Sequence, residues 1–191
     1  ADNTLTSDPL SVQTAIHSFY QDLYTNLDLS EPAQSAFLDH LLKTVPQTQA
    51  CELDQPLTER EILATLQAME LNKAPGIDGL PKEFYETFWP DLKTIMTQIC
   101  NDYFSSSCPL SSQQRMGIIT LTYKGGDKTD LRNWRPITLL CADYKLLTKT
   151  VATRLRRVMT TIIHPDQTCS VPNRNIFENL YLIRDLIHYC N

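Results

Sequence analysis

The stretch Ile118–Lys149, IITLTYKGGDKTDLRNWRPITLLCADYKLLTK, decides the fold of this 191-residue chain. Two segments, Met116–Tyr123 and Trp134–Leu140, are rich in the β-branched and apolar side chains that favour strands. The polar segment Lys124–Asp130, which contains two adjacent glycines, lies between them. This order predicts a β-hairpin with a basic tip. Pro136 is expected to start the second strand or to place it at a sheet edge.

Helical patterns lie on both sides of this hairpin. Apolar spacing and end signals predict helices at Pro9–Asn26, Pro32–Leu42, Thr58–Met69, Lys82–Tyr103, Asp143–Ile163 and Asn175–Tyr189. Thr58 and Glu61 have the spacing of a capping box. Residues 43–56 contain two prolines and no clear period, so we predict a linker. The sequence predicts an α+β fold, mostly helical with one hairpin, with a helical extension and linker at 1–56 and the main domain at 57–191.

Composition narrows the class of protein. Hydrophobic residues make up 42% of the chain and charged residues 20%, which is typical of a globular protein. No apolar run approaches the roughly 20 residues that a membrane-spanning helix needs, and the polar N-terminal segment is not a secretory signal. The six cysteines are scattered, without zinc-ligand spacing. We expect reduced thiols in an intracellular protein, cytoplasmic and/or nuclear, with no membrane partner.

The charge is distributed unevenly along the chain, although the net charge is −5. Up to residue 110 there are sixteen acidic and five basic residues, whereas residues 111–160 contain ten basic and three acidic residues. A contiguous basic stretch is the electrostatic footprint of a phosphate-binding surface. A solvated helix surface produces the same pattern. Charge alone leaves both interpretations open.

Two segments carry a family resemblance. They are Asn72–Tyr85, NKAPGIDGLPKEFY, in which two prolines and two glycines predict an ordered turn or loop, and the hairpin stretch Ile118–Lys149. In this order and at this separation they resemble the N-terminal motifs of reverse transcriptases from LINE-type non-LTR retrotransposons. Phe19–Asn26, FYQDLYTN, is similar to the helix before that domain in the family. Ile162–Ile187 is similar to the next motif, so the resemblance covers nearly the whole chain.

The resemblance implies the fingers, and the start of the palm, of a right-hand polymerase. Such a region binds an RNA template, a DNA primer and an incoming deoxynucleoside triphosphate (dNTP); the sequence does not set an oligomeric state. In the family, cations of the fingers hairpin hold the triphosphate, and the matching residues here are Lys124 and Arg135. Lys offers phosphate a point charge and Arg a planar fork. Weak surface ion pairs with Asp127 and Asp130 are the alternative role.

Other basic residues are predicted contacts to nucleic acid. They belong to the loop near residue 73, the hairpin connection, the following helix and the segment after it: Lys73, Lys128, Arg132, Lys149, Arg154, Arg156, Arg157 and Arg174. The helix carrying Lys149 is implied to line the path of an A-form duplex, which proteins read by shape and phosphates. Exposed helix surface is the alternative for these residues. Trp134 is predicted to pack beneath the hairpin in preference to stacking on a base.

No catalytic residue and no metal ligand are predicted in this chain. The family holds two Mg²⁺ ions with an Asp that follows an apolar strand and with a later Tyr-x-Asp-Asp turn, and this sequence has no Asp-Asp pair. We therefore expect no cofactor here, Mg²⁺ only in the full-length family enzyme, and no polymerisation by this chain alone. The alternatives are a stand-alone RNA- or nucleic-acid-binding remnant and an inactive structural relic, which would expose apolar surface.

The segment after Asp166 departs from the family pattern. The family usually has Gly and Phe where this chain has Cys169 and Ser170, and a Gly where it has Asn173. Arg174 is retained. A loop without these glycines suggests the sequence drift of a decaying element.

Overall fold

The computed structural model describes residues 5–25, 30–40, 43–105 and 108–190. Within these ranges the elements are α1 Pro9–Tyr24, α2 Glu31–Leu38, α3 Gln47–Leu53, α4 Glu59–Ala68, α5 Lys82–Thr87, α6 Trp89–Phe104, β1 Ile118–Tyr123, β2 Trp134–Leu139, α7 Ala142–Arg156, α8 Met159–Ile162 and α9 Ile176–Cys190. A short 3₁₀ turn, Leu131–Asn133, precedes β2. The six cysteines all lie in the described ranges and are free thiols.

The chain forms two compact units. The hairpin unit consists of Ala1–His40 and Ile118–Leu139, and the helical unit consists of Leu41–Gly117 and Leu140–Asn191. The sequence predicted two continuous segments, with the division between residues 56 and 57. The structure groups residues differently, because the hairpin belongs with the N-terminal helices.

In the hairpin unit, β1 and β2 form an antiparallel two-stranded sheet. The Lys124 N–H donates to the Asn133 carbonyl at 2.8 Å, so this pair is of the hydrogen-bonded type and every second pair along the ladder follows it. Pro136 therefore lies opposite Leu121 in a pair that exchanges no hydrogen bonds. A residue without an N–H fits this position. The predicted hairpin is present, with strands one or two residues shorter than expected.

Helix α1 covers one face of this hairpin. Asp8 caps the helix by accepting from the Ser11 N–H at 2.9 Å, and a proline follows in the first turn. Tyr20 is the buried residue of α1, and its hydroxyl donates to the Trp134 carbonyl at 3.4 Å. The residues of α1 and β1 that line a shared groove include Ile16, Tyr20 and Leu121. One face of the hairpin therefore lies against α1.

The helical unit has its core where α4, α6 and α7 pack together. The cluster of buried residues is Leu57, Ile62, Leu66, Met69, Tyr85, Trp89, Met96, Cys100, Ala142, Leu146 and Leu147. Full burial of one such aliphatic side chain contributes about 1.5–3 kcal/mol. The predicted capping box is confirmed, since the Thr58 hydroxyl accepts from the Glu61 N–H while the Glu61 carboxylate accepts from the Thr58 N–H.

Three predictions about the helices are wrong. The predicted helix Asp143–Ile163 is two helices, because α7 ends at Arg156 and α8 begins at Met159. The predicted linker contains α3, whose Gln, Ala, Glu and Leu are good helix formers after the breaking residue Pro46. The predicted helix Lys82–Tyr103 is two helices, α5 and α6, separated at Phe88. Pro90 lacks an N–H and is tolerated only in a first helical turn, so α6 has to start just before it. Phe88 and Ile95, which share the apolar face of the predicted single helix, are exposed.

Helix α9 has no buried residue. Several of its apolar side chains are more than half exposed, with Ile176 at 66% and Tyr189 at 88%. The described residues therefore leave apolar surface exposed on α9. Among those residues, none of the helices has both the length and the apolar character that crossing a bilayer requires.

Candidate nucleic-acid interface

Lys124 and Arg135 share one face of the hairpin. Arg135 lies opposite Thr122 in the register, and Lys124 is two residues beyond Thr122, so the period of two directs both cations to the same side. Tyr123 and Trp134 point to the other face, the one that α1 covers. Both cations are exposed. Among the described residues, no carboxylate lies within ion-pair distance of either one.

The connection between the strands is ordered by its own hydrogen bonds. The Trp134 Nε1–H donates to the Lys128 carbonyl at 3.0 Å, and the Asn133 amide donates to the Asp127 carbonyl at 2.9 Å. Gly125 and Gly126 have φ of 134° and 97°, values that favour glycine. The half-buried Trp134 thus holds the connection in place, in line with its predicted packing beneath the hairpin. Lys124 and Arg135, at the two ends of the connection, are therefore attached to ordered backbone.

Lys128 and Arg132 lie on this connection with different surroundings. The Lys128 ammonium is 5.5 Å from the centroid of the Tyr123 ring, a cation–π distance, and no described carboxylate pairs with it. Arg132 forms a fork on Asp130, with Nη2 at 2.8 Å from one carboxylate oxygen. The Arg132 hydrogen bonds lower the pKa of Asp130. The charge of Arg132 is therefore largely balanced within the loop, whereas that of Lys128 is available to a ligand.

In the helical unit, Lys73 and Lys149 are both exposed. Lys73 pairs with Glu70 at 2.8 Å, and Lys149 is close enough to contribute to lowering the pKa of Glu70, after Lys73. The predicted loop and the face of α7 that carries Lys149 thus contribute to the same surface. One acid between two cations leaves this surface with a net positive charge.

The prediction that Arg154 of α7 contacts nucleic acid is wrong. It is 5% exposed, and its guanidinium donates to both Glu61 carboxylate oxygens, at 2.8 and 2.7 Å. It also donates to the carbonyls of Leu53, Gln55 and Pro56. A guanidinium used in this way cannot contact a phosphate. The residue links α7 to the start of α4 and to the segment after α3.

Of the remaining arginines that were predicted to contact nucleic acid, two are exposed and one is bound to backbone carbonyls. Arg156 and Arg157 are exposed on the last turn of α7, with Arg157 3.9 Å from Glu61. Arg174 is half-buried and donates to the Gln167 carbonyl at 2.8 Å and the Ile163 carbonyl at 3.1 Å. Its guanidinium also reaches the carbonyl of His164. Arg174 therefore acts as an anchor of its loop, and its contact to nucleic acid stays a prediction.

The same loop contains two non-glycine residues with left-handed backbone. Ser170 and Asn173 have φ of 60° and 62°, which is left-handed backbone that glycine adopts without strain. Asn tolerates this conformation better than most residues and Ser does so less well. Asn173, where the family has a Gly, adopts this backbone with little strain, whereas Ser170, where the family has Phe, adopts it at a cost in conformational energy.

A cluster that the sequence did not reveal lies where the loop after α4 meets the start of α7. Side-chain oxygen or sulfur atoms of Asp78, Cys141 and Asp143 are within 4.8 Å of one another. Asp143 accepts from the Gln114 amide at 2.6 Å, and Asp78 accepts from the Leu80 N–H at 3.2 Å. Burial raises the pKa of the Cys141 thiol. The hydrogen-bonded carboxylates and protonated thiol explain the cluster as a structural junction.

Comparison with known proteins places the chain among transposon-encoded sequences. No family model matches it. It is 38% identical over 192 residues to the transposon TX1 uncharacterized 149 kDa protein of Xenopus laevis. The alignment covers 98% of this chain and 14% of the relative. The chain is thus related over nearly its whole length to one segment of a transposon protein, in agreement with the transposable-element origin that its motifs indicate.

Proposed function

We propose that this chain is the part of an RNA-directed DNA polymerase of a non-LTR retrotransposon that holds the template and the incoming nucleotide. The observation that carries the proposal is that Lys124 and Arg135 lie on the same face of the hairpin. Both are exposed, and neither has a carboxylate partner among the described residues. The motif resemblance assigns these positions to triphosphate binding. The relationship to a transposon protein supports the same origin.

The charge arrangement suits polyphosphate recognition. Lys124 supplies a point charge, and Arg135 supplies a fork that matches two phosphate oxygens. Because neither cation has a described carboxylate partner, binding a phosphate does not require breaking an ion pair. Lys128 adds a third available cation at the tip. This face is the proposed contact to the dNTP and to the template phosphates beside it, and the Lys73–Lys149 surface is the proposed contact to the rest of the template–primer backbone.

Removing the hairpin cations is expected to weaken binding of a labelled RNA–DNA hybrid and of a dNTP. One charge-assisted hydrogen bond contributes about 1.5 kcal/mol, so Lys124→Ala and Arg135→Ala should each weaken dNTP binding by about tenfold. Fluorescence anisotropy of the hybrid, and displacement of a fluorescent dNTP analogue, measure both affinities. The proposal predicts that the dNTP affinity falls more than the hybrid affinity.

Lys93→Ala is the matched control, because it removes one lysine charge from α6, where Lys93 pairs with Glu59 at 3.2 Å. Its affinity for both ligands should stay within about twofold of wild type. Equal losses in Lys93→Ala and Lys124→Ala would show that binding depends on overall charge and would overturn the assignment of the hairpin. Binding of the hybrid without any effect on dNTP affinity would favour a stand-alone nucleic-acid-binding role.

A further inference from the structure

The two edges of the hairpin are not equivalent. Since the Lys124–Asn133 pair is hydrogen-bonded, the even-numbered residues of β1 bond to β2. The N–H and C=O groups of Ile119, Leu121 and Tyr123 point away from β2. Within the described ranges no other strand pairs with them. The outer edge of β1 therefore presents a complete row of donors and acceptors.

The outer edge of β2 is blunted in two ways. Pro136, which points outward in the same alternation, has no N–H to offer a further strand. The carbonyl of Trp134 already accepts from the Tyr20 hydroxyl at 3.4 Å. A strand added to the sheet can therefore pair completely at β1 and only incompletely at β2.

The side of β1 that faces α1 also has room for a neighbour. A groove of about 710 Å³ lies between α1 and β1, lined by residues that include Tyr20, Tyr24, Ile119 and Leu121. Ile119 is 46% exposed and Tyr123 is 37% exposed. Apolar side chains from an added strand would cover this part of the hairpin unit.

We propose that the β1 edge pairs with β1 of a second copy of this chain, in an antiparallel, two-fold symmetric arrangement. The segment Ile118–Tyr123 is uncharged, lacks proline and glycine, and has high β-propensity. A two-fold axis at Leu121 brings the outward N–H and C=O groups of both copies into register. Three pairs of residues then exchange about six hydrogen bonds.

This register is also favourable for the side chains. Leu121 lies opposite Leu121 of the second copy, Ile119 opposite Tyr123, and Thr120 opposite Thr122. Apolar, aromatic–β-branched and Thr–Thr pairs are the cross-strand combinations that stabilise antiparallel strands. Lys124 falls opposite Ile118, so no like charges meet. The paired hairpins form a four-stranded sheet that leaves both Lys124–Arg135 faces open, and closed two-fold pairing limits the assembly to a dimer.

Charge substitution at Leu121 tests the symmetry, because the residue is its own partner. Leu121→Lys and Leu121→Glu should each raise the dimer dissociation constant by roughly tenfold, since like charges then lie opposite each other. An equimolar mixture of the two variants should form a heterodimer at concentrations where each alone is monomeric. Sedimentation velocity of the 191-residue chain measures all three samples. Thr122→Glu is the control, because the same charge on the neighbouring residue faces Thr120 and should leave the dimer intact.

Hydrogen exchange of the unmodified chain provides a test that does not depend on a variant folding. The amides of Ile119, Leu121 and Tyr123 should exchange more slowly as protein concentration rises, whereas those of Thr120 and Thr122, already bonded to β2, should not change. A wild-type chain that stays monomeric at about 500 µM, far above the micromolar range, would overturn the proposal. So would a variant mixture that associates no better than its components, or growth beyond a dimer.

Discussion

Replacing Arg154 with Met is expected to lower the free energy of unfolding by about 3–5 kcal/mol. The buried guanidinium satisfies both carboxylate oxygens of Glu61 and three backbone carbonyls. Met fills a similar volume but donates no hydrogen bond, so the Glu61 charge and the carbonyls lose their partner. The loss removes the link between α7 and the start of α4. Urea unfolding monitored by circular dichroism measures the change.

Arg156→Met is the matched control. Arg156 lies two residues further along the same helix and is exposed, so the change should stay within about 0.5 kcal/mol. Arg154→Lys should recover little stability, because one ammonium cannot reproduce the fork. Equal urea midpoints for Arg154→Met and wild type would contradict the structural role of Arg154 and restore it as a candidate contact to nucleic acid.

The same ion pair makes stability depend on pH. Hydrogen bonding from Arg154 lowers the pKa of Glu61 from 4.5 to about 2. A carboxyl whose folded pKa is depressed contributes stability above its ordinary pKa and loses that contribution as pH falls towards the folded value. The stability difference between wild type and Arg154→Met should therefore shrink from about pH 5 to pH 2. A difference that is constant over this range would contradict the coupling of the two residues.

Gly76→Ala is expected to destabilise the helical unit by about 3 kcal/mol, the upper end of the range for overpacked sites. A Cβ at Gly76 would lie 2.6 Å from the Leu140 carbonyl carbon and 2.7 Å from the Cys141 Cα, and it would also meet the Cys141 nitrogen. These are backbone atoms, which cannot rotate away. The loop Lys73–Pro81 would have to separate from the start of α7. Thermal unfolding of the variant measures the effect.

Gly79→Ala separates crowding from backbone strain at the same loop. Gly79 has φ of 71°, and among the described residues no atom of another part of the chain lies within 4 Å of its ideal Cβ. Only the left-handed backbone then opposes the substitution, at about 1–2 kcal/mol. If Gly76→Ala were no more destabilising than Gly79→Ala, the close approach of the loop to Leu140 and Cys141 would not be the reason for glycine at position 76.

The sequence predicted the elements whose formation depends on residues close together along the chain. The hairpin follows from two β-rich segments around a glycine-containing connection, and the start of α4 follows from the spacing of Thr58 and Glu61. The start of α6 depends on Pro90, but the apolar pattern continues on both sides of this proline and predicts a single helix. Helix α3 is weakly periodic and short, so no sequence signal separated it from a linker.

The candidate site could be predicted only in part, because some of its features depend on contacts between distant residues. Once a hairpin is assumed, its register decides whether Lys124 and Arg135 share a face, and the register could be read only from the structure. Arg154 could not be separated from Arg156 and Arg157 by sequence, because its partners are about one hundred residues away along the chain. The junction of Asp78 with Asp143 likewise depends on a contact between residues that are far apart along the chain.

The salt dependence of RNA–DNA hybrid binding tests the central proposal most directly, since its slope counts the cations that contact phosphate. Wild type and the double variant Lys124→Ala, Arg135→Ala should be titrated with the hybrid from 50 to 200 mM salt, a range over which such slopes are well measured. If both cations contact phosphate, the double variant should have a slope shallower by roughly 1.5, since each contact contributes about 0.7–0.9. Parallel lines for the two proteins would contradict the proposal that this hairpin face binds phosphate.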